Sequence, residues 1–467
     1  MASLSPGGQL PAVTRNGATR LPSPARLAAR PPMAGRVAPH RTLLDISRLL
    51  STVRRTTPSG IDRVEMAYAR HWLTRPARER GFVAQSPFGW YAAVAEEAVA
   101  EFAAALGEAW AGGGDRSAAL RRARGLAGGL QARLALGAGR QGLAAWLGAG
   151  QRTTLLIASH RALEAAPRLR ALKAEGMRFV PFIHDLIPLT HPEYTRPRQV
   201  AHHAARVTTV TALADGLLVN SAATAAELRP HFARARRALP PLAIAPLGVE
   251  TAPPPAGPLP AEPYFVCLGT IEPRKNHLLL LQLWRELAEQ GVPQLPRLLL
   301  IGRRGWENEH ILRMLERCQA LRGHVEELGP LPDAEARRVL AGARALLFPS
   351  FAEGYGLPLA EALGLGVPAI ASDLPALREV GGAVPDYLSP NDGAAWRRAV
   401  LDYATPGSPT RAAQLARLAT WVAPSWPAHF AATEALLEEV AGAPSRPASA
   451  PANDFSLASA TAGAAPA

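Results

Sequence analysis

The sequence predicts an α/β protein made of two doubly wound domains that face each other across a cleft. Short apolar runs typical of buried strands alternate with longer helical segments both before and after residue 250. Between these halves, six of the residues in 251–263 are prolines, which is the composition of a semi-rigid linker. At 467 residues the chain is too long for one ordinary core and fits two domains with tails.

Composition bears on partners and on the cellular compartment. The net charge is +13, but Lys173 and Lys275 are the only lysines, and no basic stripe is interleaved with aromatic residues, so we expect no nucleic-acid partner. Cys267 and Cys318 lack metal-ligand spacing and are typical of a reducing compartment. Since no apolar run suits a membrane span or a signal peptide, the sequence predicts a cytoplasmic protein. A peripheral contact with the inner face of the membrane is left open.

The chain divides into six segments by composition and pattern. The two ends are rich in Ala, Pro and either Arg or Ser, and such segments bury too little apolar surface to fold. The predicted segments are a disordered basic tail (1–40), an N-terminal domain (41–250), the linker (251–263), a C-terminal domain (264–425), a final helix (426–442) and a disordered tail (443–467).

The N-terminal domain begins with a strand and a glycine turn. Thr42–Ser47 is the predicted strand, and Pro58–Glu65, which includes Gly60 and Arg63, opens a helix that runs to about Trp72. A glycine turn between the first strand and its helix is a common phosphate or substrate site in α/β folds. A second strand is predicted within 81–94, and residues 96–150 are predicted to form helices.

A histidine follows the most apolar strand of this domain. Arg178–Ile183 predicts a buried strand, and His184 comes directly after it, at the edge of the sheet where open α/β folds bind ligands. The spacing of the next histidines fits no metal site, so we expect His191, His202 and His203 to lie on the surface.

The C-terminal domain opens with a cationic turn. The strand Tyr264–Leu268 leads into Gly269 and then into Arg274 and Lys275, after which Asn276 is predicted to cap a helix. A guanidinium fork and a compact ammonium at a helix start can clamp a diphosphate.

The turn after the strand at 345–348 carries two carboxylates. Glu353 precedes Gly354, Tyr355, Gly356 and Leu357, and Glu361 follows in the helix that this turn opens. Glycines let the backbone approach a ligand, and the start of a helix favours anions. The two carboxylates therefore flank a phosphate-sized cradle.

These motifs resemble those of glycosyltransferase family 4. The segments E-G-Y-G-L-P-L-A-E-A (353–362) and G-T-I-E-P-R-K-N (269–276) resemble its Glu-x7-Glu signature and its diphosphate motif, and Gly60 to Arg63 resembles its N-domain loop. The resemblance implies a GT-B fold of two Rossmann-like domains, the first on the acceptor side and the second binding the nucleotide sugar. It also implies a retaining transferase that moves a hexose, with mannose favoured, from a GDP- or UDP-linked donor to a polysaccharide or lipid-linked acceptor.

The resemblance also implies roles for particular residues. Glu353 would hold the sugar, Glu361 the ribose, and His184 would lie by the acceptor, while Arg274 and Lys275 would stabilise the leaving diphosphate. The other residues expected to line the nucleotide-sugar site are Gly60, Arg63, Gly269, Gly354, Tyr355, Gly356 and Leu357.

The sequence also leaves alternatives open. No Asp-x-Asp pair occurs, so we expect neither a metal nor another cofactor. A sugar-nucleotide epimerase or hydrolase on the same fold would need the donor alone. A third interpretation is a non-catalytic scaffold protein of a polysaccharide cluster. The presence of Arg274, Lys275, Glu353 and Glu361 argues against it.

Overall fold

The computed structural model describes residues 40–112, 114–148, 152–254 and 256–444, and these lie in one compact unit. Most of the first predicted tail and nearly all of the second fall outside the described residues. His40, which we assigned to the first tail, instead begins the first strand.

The first half of the chain forms a seven-stranded sheet in the order β3-β2-β1-β4-β5-β6-β7. All its neighbouring strands are parallel except β2 and β3, which form an antiparallel hairpin at one edge. The strands are β1 (His40–Asp45), β2 (Arg80–Gln85), β3 (Tyr91–Val94), β4 (Arg152–Ile157), β5 (Arg178–Ile183), β6 (Leu217–Val219) and β7 (Leu242–Ile244).

Within the described residues of this half, nine α-helices connect or flank these strands. Ser59 caps the second helix through a reciprocal pair of bonds with Asp62, which explains why it begins at Gly60. The helices are α1 (Ser47–Thr52), α2 (Gly60–Thr74), α3 (Glu96–Ala111), α4 (Arg116–Ala135), α5 (Arg140–Gly148), α6 (Ala166–Ala174), α7 (Ile187–Thr190), α8 (Pro197–Leu213) and α9 (Ala222–Arg234).

The second half forms a six-stranded parallel sheet in the order β10-β9-β8-β11-β12-β13. Its strands are β8 (Tyr264–Leu268), β9 (Arg297–Ile301), β10 (Val325–Gly329), β11 (Leu346–Phe348), β12 (Ala369–Ser372) and β13 (Asp386–Leu388). Its helices are α10 (His277–Glu289), α11 (Glu309–Arg317), α12 (Asp333–Ala341), α13 (Leu357–Gly364), α14 (Pro375–Gly381), α15 (Gly393–Ala404) and α16 (Pro409–Leu418).

The last helix, α17 (Trp426–Gly442), returns to the first sheet and packs against β4, β5 and β7. His429 of this helix is fully buried, and its Nδ1 donates to the carbonyl oxygen of Ala245 at 3.0 Å. Beside it, the backbone N–H of Val249 donates to the carbonyl of Pro424 at 3.0 Å. The two chain crossings between the sheets therefore run side by side.

Several local expectations were wrong. The region 81–94 holds two strands rather than one, because the turn at Ser86–Gly89 reverses the chain. Asn276 stands at the N-cap position of α10 with a left-handed backbone (φ 53°), but its side chain forms no capping bond and its amide donates to the carbonyl of Pro390 instead. His203 is buried rather than exposed, and its ring lies 5.1 Å from that of His160.

Candidate functional site

The cationic turn after β8 lies at the carboxyl end of the second sheet. Gly269 has φ 153°, and the aliphatic stem of Lys275 packs over the position where a Cβ would stand. A short 3-10 helix, Pro273–Lys275, then brings Arg274 and Lys275 to the start of α10. A side chain at position 269 would therefore compete with Lys275 for space.

Arg274, Lys275 and Glu353 form a buried charge cluster. Lys275 Nζ lies 2.5 Å from Glu353 Oε1, and a guanidinium nitrogen of Arg274 lies 3.0 Å from the same oxygen. Arg274 also donates to Glu272 at 2.8 Å and to the carbonyl of Ala352 at 2.6 Å. The sequence predicted a clamp for an anion, and in the structure the carboxylate of Glu353 already engages it.

The charges of this cluster perturb one another. Burial by itself would raise the pKa of Glu353, but Arg274 and Lys275 outweigh it and lower that pKa to about 2. Burial lowers the pKa of Lys275, and the attraction of Glu353 offsets only part of this effect. The Lys275 ammonium also lies 4.6 Å from the centre of the Phe348 ring. The cluster is thus a low-dielectric site in which a cation's charge acts strongly on a bound anion.

The turn that follows Glu353 docks onto the first half of the chain. The side chain of Ser221 donates to the carbonyl of Gly354 at 2.8 Å, and Thr224 donates to the same oxygen at 3.2 Å. A Cβ at position 354 would collide with the carbonyl oxygen of His184, so this approach requires glycine. Gly354 therefore brings the Glu353 turn against the carboxyl end of β5.

The rest of this turn opens α13. Gly356 has φ 96°, which favours glycine, and the hydroxyl of Tyr355 donates to the carbonyl of Leu247 at 2.8 Å. Leu357 begins the helix, and its side chain lies 3.8 Å from where a Cβ of Gly60 would stand. The two glycine turns predicted from sequence thus face each other.

Arg63 crosses from α2 to the second half of the chain. Its guanidinium lies 2.5 Å from Asp333 Oδ1 and 4.0 Å from Glu361 Oε1. Burial raises the pKa of Glu361, and the charge of Arg63 opposes that rise. Glu361 is therefore an acidic side chain, about a quarter exposed, that faces a cation from the other side of the cleft.

His184 is buried and held by local bonds. Its Nε2 donates to the carbonyl of Ala158 at 2.9 Å, and its backbone N–H donates to Nε2 of His160 at 3.0 Å. Burial lowers the pKa of His184 to about 4, so the ring is neutral at pH 7. Its carbonyl accepts from the side-chain amide of Asn220 at 3.0 Å. The structure therefore favours His184 as a packing and backbone element over an acid or base.

Asp185, Glu272 and Asp333 are charged groups of the site that the sequence did not single out. Asp185 is half-exposed, lies next to the Gly354 turn, and its charge acts on Arg274. Glu272 and Asp333 pair with Arg274 and Arg63 respectively. Glu272 lies inside the segment 269–276 quoted above and Asp185 directly follows His184, whereas nothing local to Asp333 signals its contact across the cleft.

Other contacts also join the two halves around this site. The rings of Tyr194 and Phe351 stack with centroids 4.9 Å apart, and the carboxylate of Glu379 accepts from the first backbone N–H groups of α9. Within the described ranges, no group of three or more His, Cys, Asp or Glu residues could hold a metal ion. No helix in those ranges has the length and apolar character that crossing a membrane requires.

Parts of this chain are similar to known glycosyltransferases. Residues 262–405 match a family model described as "Glycosyl transferases group 1". The O-antigen chain mannosyltransferase B of Escherichia coli is 40% identical over 129 residues, 28% of this chain and 33% of that protein. The serotype-specific mannosyltransferase WbdA of Escherichia coli is 26% identical over 250 residues, 50% of this chain and 30% of that protein. The matches thus span about a third of the length of these curated relatives.

Among solved structures, HepE of Anabaena in complex with UDP-glucose superposes with a TM-score of 0.55. The superposition covers 86% of this chain and 100% of that chain, at 14% sequence identity. At this identity the likeness concerns the fold alone. The predicted GT-B fold, with two parallel-dominated α/β sheets, is confirmed.

Proposed function

We propose that this GT-B chain, with its group 1 glycosyl transferase segment at residues 262–405, is a retaining glycosyltransferase of family 4. It would transfer a hexose from a nucleotide-diphosphate sugar to a glycan acceptor. The observation that carries the proposal is the buried Arg274–Lys275–Glu353 cluster at the carboxyl ends of β8 and β11, facing the end of β5. Ligands of open α/β sheets bind at this edge.

The cations of the cluster suit a diphosphate. A planar guanidinium that is about a fifth exposed and a buried, compact ammonium would donate charge-assisted hydrogen bonds to the phosphate oxygens. The amides at the start of α10 add the positive end of a helix dipole. We propose that these groups replace a divalent metal in stabilising the leaving group, and that addition of a chelator leaves turnover unchanged.

The two carboxylates would bind different parts of the donor. Glu361, which is about a quarter exposed, would accept hydrogen bonds from the ribose hydroxyls. Glu353, beside both cations, would bind the sugar hydroxyls close to the anomeric carbon. Gly60, Arg63, Gly269, Tyr355, Gly356 and Leu357 complete the proposed lining.

The reaction breaks the bond between the anomeric carbon and the diphosphate oxygen. The acceptor hydroxyl oxygen forms the new bond on the same face of the sugar, and its proton passes to the leaving diphosphate. Arg274 and Lys275 would stabilise the negative charge that develops on that diphosphate, which is electrostatic catalysis. His184 would line the acceptor side through its backbone.

The relatives support a choice of sugar and acceptor. Two Escherichia coli relatives are named as mannosyltransferases, one of them of the O-antigen chain. We therefore propose mannose as the hexose and a growing bacterial polysaccharide, free or lipid-linked, as the acceptor. HepE was solved with UDP-glucose, so both GDP- and UDP-linked donors belong in the test. Because nucleotide sugars are cytosolic, we propose that the protein works in the cytoplasm, at the inner face of the membrane when the acceptor is lipid-linked.

A thermal-shift screen followed by a transfer assay tests the proposal. The full chain is heated with GDP, UDP, ADP, their nucleosides and their mannose or glucose conjugates, and the stabilising conjugate is then offered with a mannose-terminated oligosaccharide. A bound ligand at 100 times its Kd stabilises the fold by about 2.7 kcal/mol. We expect one diphosphate and its sugar conjugate to stabilise the protein, and that conjugate to donate its sugar. Donor consumption without an elongated acceptor would instead favour an epimerase or hydrolase.

Arg285→Ala is the matched control for this screen. Arg285 lies on α10, the helix that follows the clamp, but is about half exposed and pairs with Glu289 at 2.8 Å. Its loss should leave the ligand-induced shift unchanged, whereas Lys275→Ala should reduce that shift. Equal shifts in the two variants would contradict the assignment of the clamp.

A further inference from the structure

One edge of the seven-stranded sheet carries exposed apolar side chains. Phe88, in the turn between β2 and β3, is 68% exposed, and Leu136, at the end of α4, is 89% exposed. Phenylalanine and leucine are usually buried, and exposed apolar clusters mark interaction surfaces. We call the surface formed by Phe88, Trp90 and Leu136 the apolar tip.

The three residues of the apolar tip lie on two segments that are held together although they come from distant parts of the chain. The rings of Phe88 and Trp90 stack with centroids 5.3 Å apart. The indole N–H of Trp90 donates to the carbonyl of Leu134 at 3.2 Å, two residues before Leu136. The backbone N–H of Ala93 donates to the carbonyl of Gly139 at 3.1 Å and ties the hairpin to the loop after α4. Residues 86–93 and 134–139 therefore lie together at one edge of the sheet.

Exposed arginines surround the apolar tip. The guanidinium of Arg140 lies 5.5 Å from the centre of the Trp90 ring, and that of Arg168 packs over Gly89. Arg133 lies in the last turn of α4, three residues before Leu136. Among the described residues, none of these three arginines forms an ion pair with a carboxylate. Their charges are therefore available to a partner.

The hairpin and the α4 segment of this edge contain no acidic residue, and Glu164 lies four positions before Arg168. Between Asp115 and Glu164 the chain has eight arginines and no aspartate or glutamate. Residues 80–95, which form the hairpin, also contain no acid. A surface with this charge attracts an anionic partner and repels a cationic one.

We propose that the apolar tip and its three arginines bind the surface of an anionic phospholipid bilayer. Phe88 and Leu136 would enter the boundary between headgroups and acyl chains, where apolar burial is favourable. Trp90 is half-buried with its N–H satisfied, which suits an aromatic ring at the headgroup level. Arg133, Arg140 and Arg168 would contact lipid phosphates with their guanidinium groups.

This binding goes beyond the proposed transferase function and does not require it. It would hold the protein beside a lipid-linked acceptor, but vesicles should bind the chain with no nucleotide or acceptor present. Failure of the transferase assay would therefore leave the lipid proposal intact, and failure of lipid binding would leave the transferase proposal intact.

Vesicle co-sedimentation of the full chain tests the proposal. Vesicles of phosphatidylcholine mixed with phosphatidylglycerol are compared with vesicles of pure phosphatidylcholine. We expect binding to the anionic vesicles, and we expect Phe88→Ser/Leu136→Ser to lower the partition coefficient about tenfold or more. Arg133→Gln/Arg140→Gln should also lower it. Raising salt from about 0.1 to about 1 M, which shortens the Debye length from about 10 to about 3 Å, should weaken wild-type binding.

Val422→Ser is the matched control. Val422 is 86% exposed, similar to Leu136, but lies on the segment between α16 and α17. This variant should bind anionic vesicles like the wild type. Unchanged thermal midpoints and circular dichroism would show that each variant is folded.

Two results would overturn the proposal. In one, Phe88→Ser/Leu136→Ser binds anionic vesicles as tightly as the wild type. In the other, the wild type is a dimer by light scattering, the double variant is a monomer, and both bind vesicles equally; the apolar tip would then be an interface between two copies of this chain.

Discussion

Replacing Glu353 with glutamine should separate binding of the nucleotide from turnover of the sugar. The Glu353 carboxylate lies 2.5 Å from the ammonium of Lys275 and 3.0 Å from the guanidinium of Arg274. A diphosphate that uses the same two cations must compete with this carboxylate for their hydrogen bonds. Glutamine keeps the size of the side chain and removes that competing charge.

The magnitude follows from these contacts. A hydrogen bond to a charged group contributes about 1.5–3 kcal/mol. When the competing carboxylate is removed, part of this free energy becomes available for binding the ligand. We expect Glu353→Gln to bind a nucleoside diphosphate as tightly as the wild type, or up to roughly fivefold more tightly, which corresponds to ~1 kcal/mol. Turnover should fall at least about 100-fold, or ~2.7 kcal/mol, because Glu353 is assigned to the sugar where charge develops.

Calorimetry with GDP and UDP measures the first effect, and nucleoside diphosphate release from the donor measures the second. Glu272→Gln is a useful comparison, because Glu272 pairs with Arg274 at 2.8 Å but belongs to the turn before the clamp rather than to the Glu353 turn. Its loss of turnover should be smaller. If Glu353→Gln weakens diphosphate binding as strongly as Lys275→Ala does, the reasoning is refuted, since Glu353 would then be holding the clamp in place rather than competing for it.

We expect three further outcomes, which concern the Arg274–Lys275–Glu353 cluster and the nearby Glu361. Lys275→Ala should weaken nucleoside diphosphate binding by ~1.5–3 kcal/mol in calorimetry and leave nucleoside binding unchanged, while Arg285→Ala alters neither. Glu361→Gln should weaken binding of the donor and of the nucleoside diphosphate equally, since the ribose is common to both; a loss confined to the donor would contradict the ribose assignment. The pKa of Glu353 is about 2 in the fold against an ordinary 4.5, so its charge stabilises the fold above pH 4.5, and this stabilisation is lost as the pH falls toward 2. Urea unfolding at pH 7 and pH 4 should therefore show the wild type losing roughly 1 kcal/mol more than Glu353→Gln.

Much of the fold could be predicted from local patterns. Apolar runs such as 178–183 and 345–348 correspond to β5 and β11, because a parallel strand buried on both faces is apolar along its whole length. The helix expected at 426–442 is α17, since Ser425 caps it and Pro427 suits its first turn. These signals lie within a few residues of the element that they define.

Errors arose where distant contacts decide the local structure. His203 looks like a surface residue in a polar helix, but α8 turns it into the core beside His160. Asparagine is a residue type that favours helix caps, yet the side-chain amide of Asn276 donates to the carbonyl of Pro390, more than a hundred residues away. Neither partner can be read from the neighbouring sequence.

In the site, too, single residues could be predicted from local patterns but their distant partners could not. The sequence identified Arg274 and Lys275 in one motif and Glu353 in another. In the structure both cations lie within 3.0 Å of the Glu353 carboxylate. The bridge from Arg63 to Asp333 spans 270 positions and depends on how the two halves close. A charge pattern can identify such groups as candidates, but the partner of each is fixed only by the fold.

The most direct test of the central claim is proton NMR of a transfer reaction. The claim is that the cleft moves a sugar from a nucleotide-diphosphate donor with retention of configuration. An α-linked GDP- or UDP-sugar, chosen from the thermal-shift screen, is incubated with the wild-type chain and a mannose-terminated oligosaccharide, and the anomeric signals are followed from the first turnovers. We expect a new α-linked residue on the acceptor, formed at the rate at which nucleoside diphosphate appears. A β-linked product as the first one formed, or no transfer from any nucleotide sugar that binds, would contradict it.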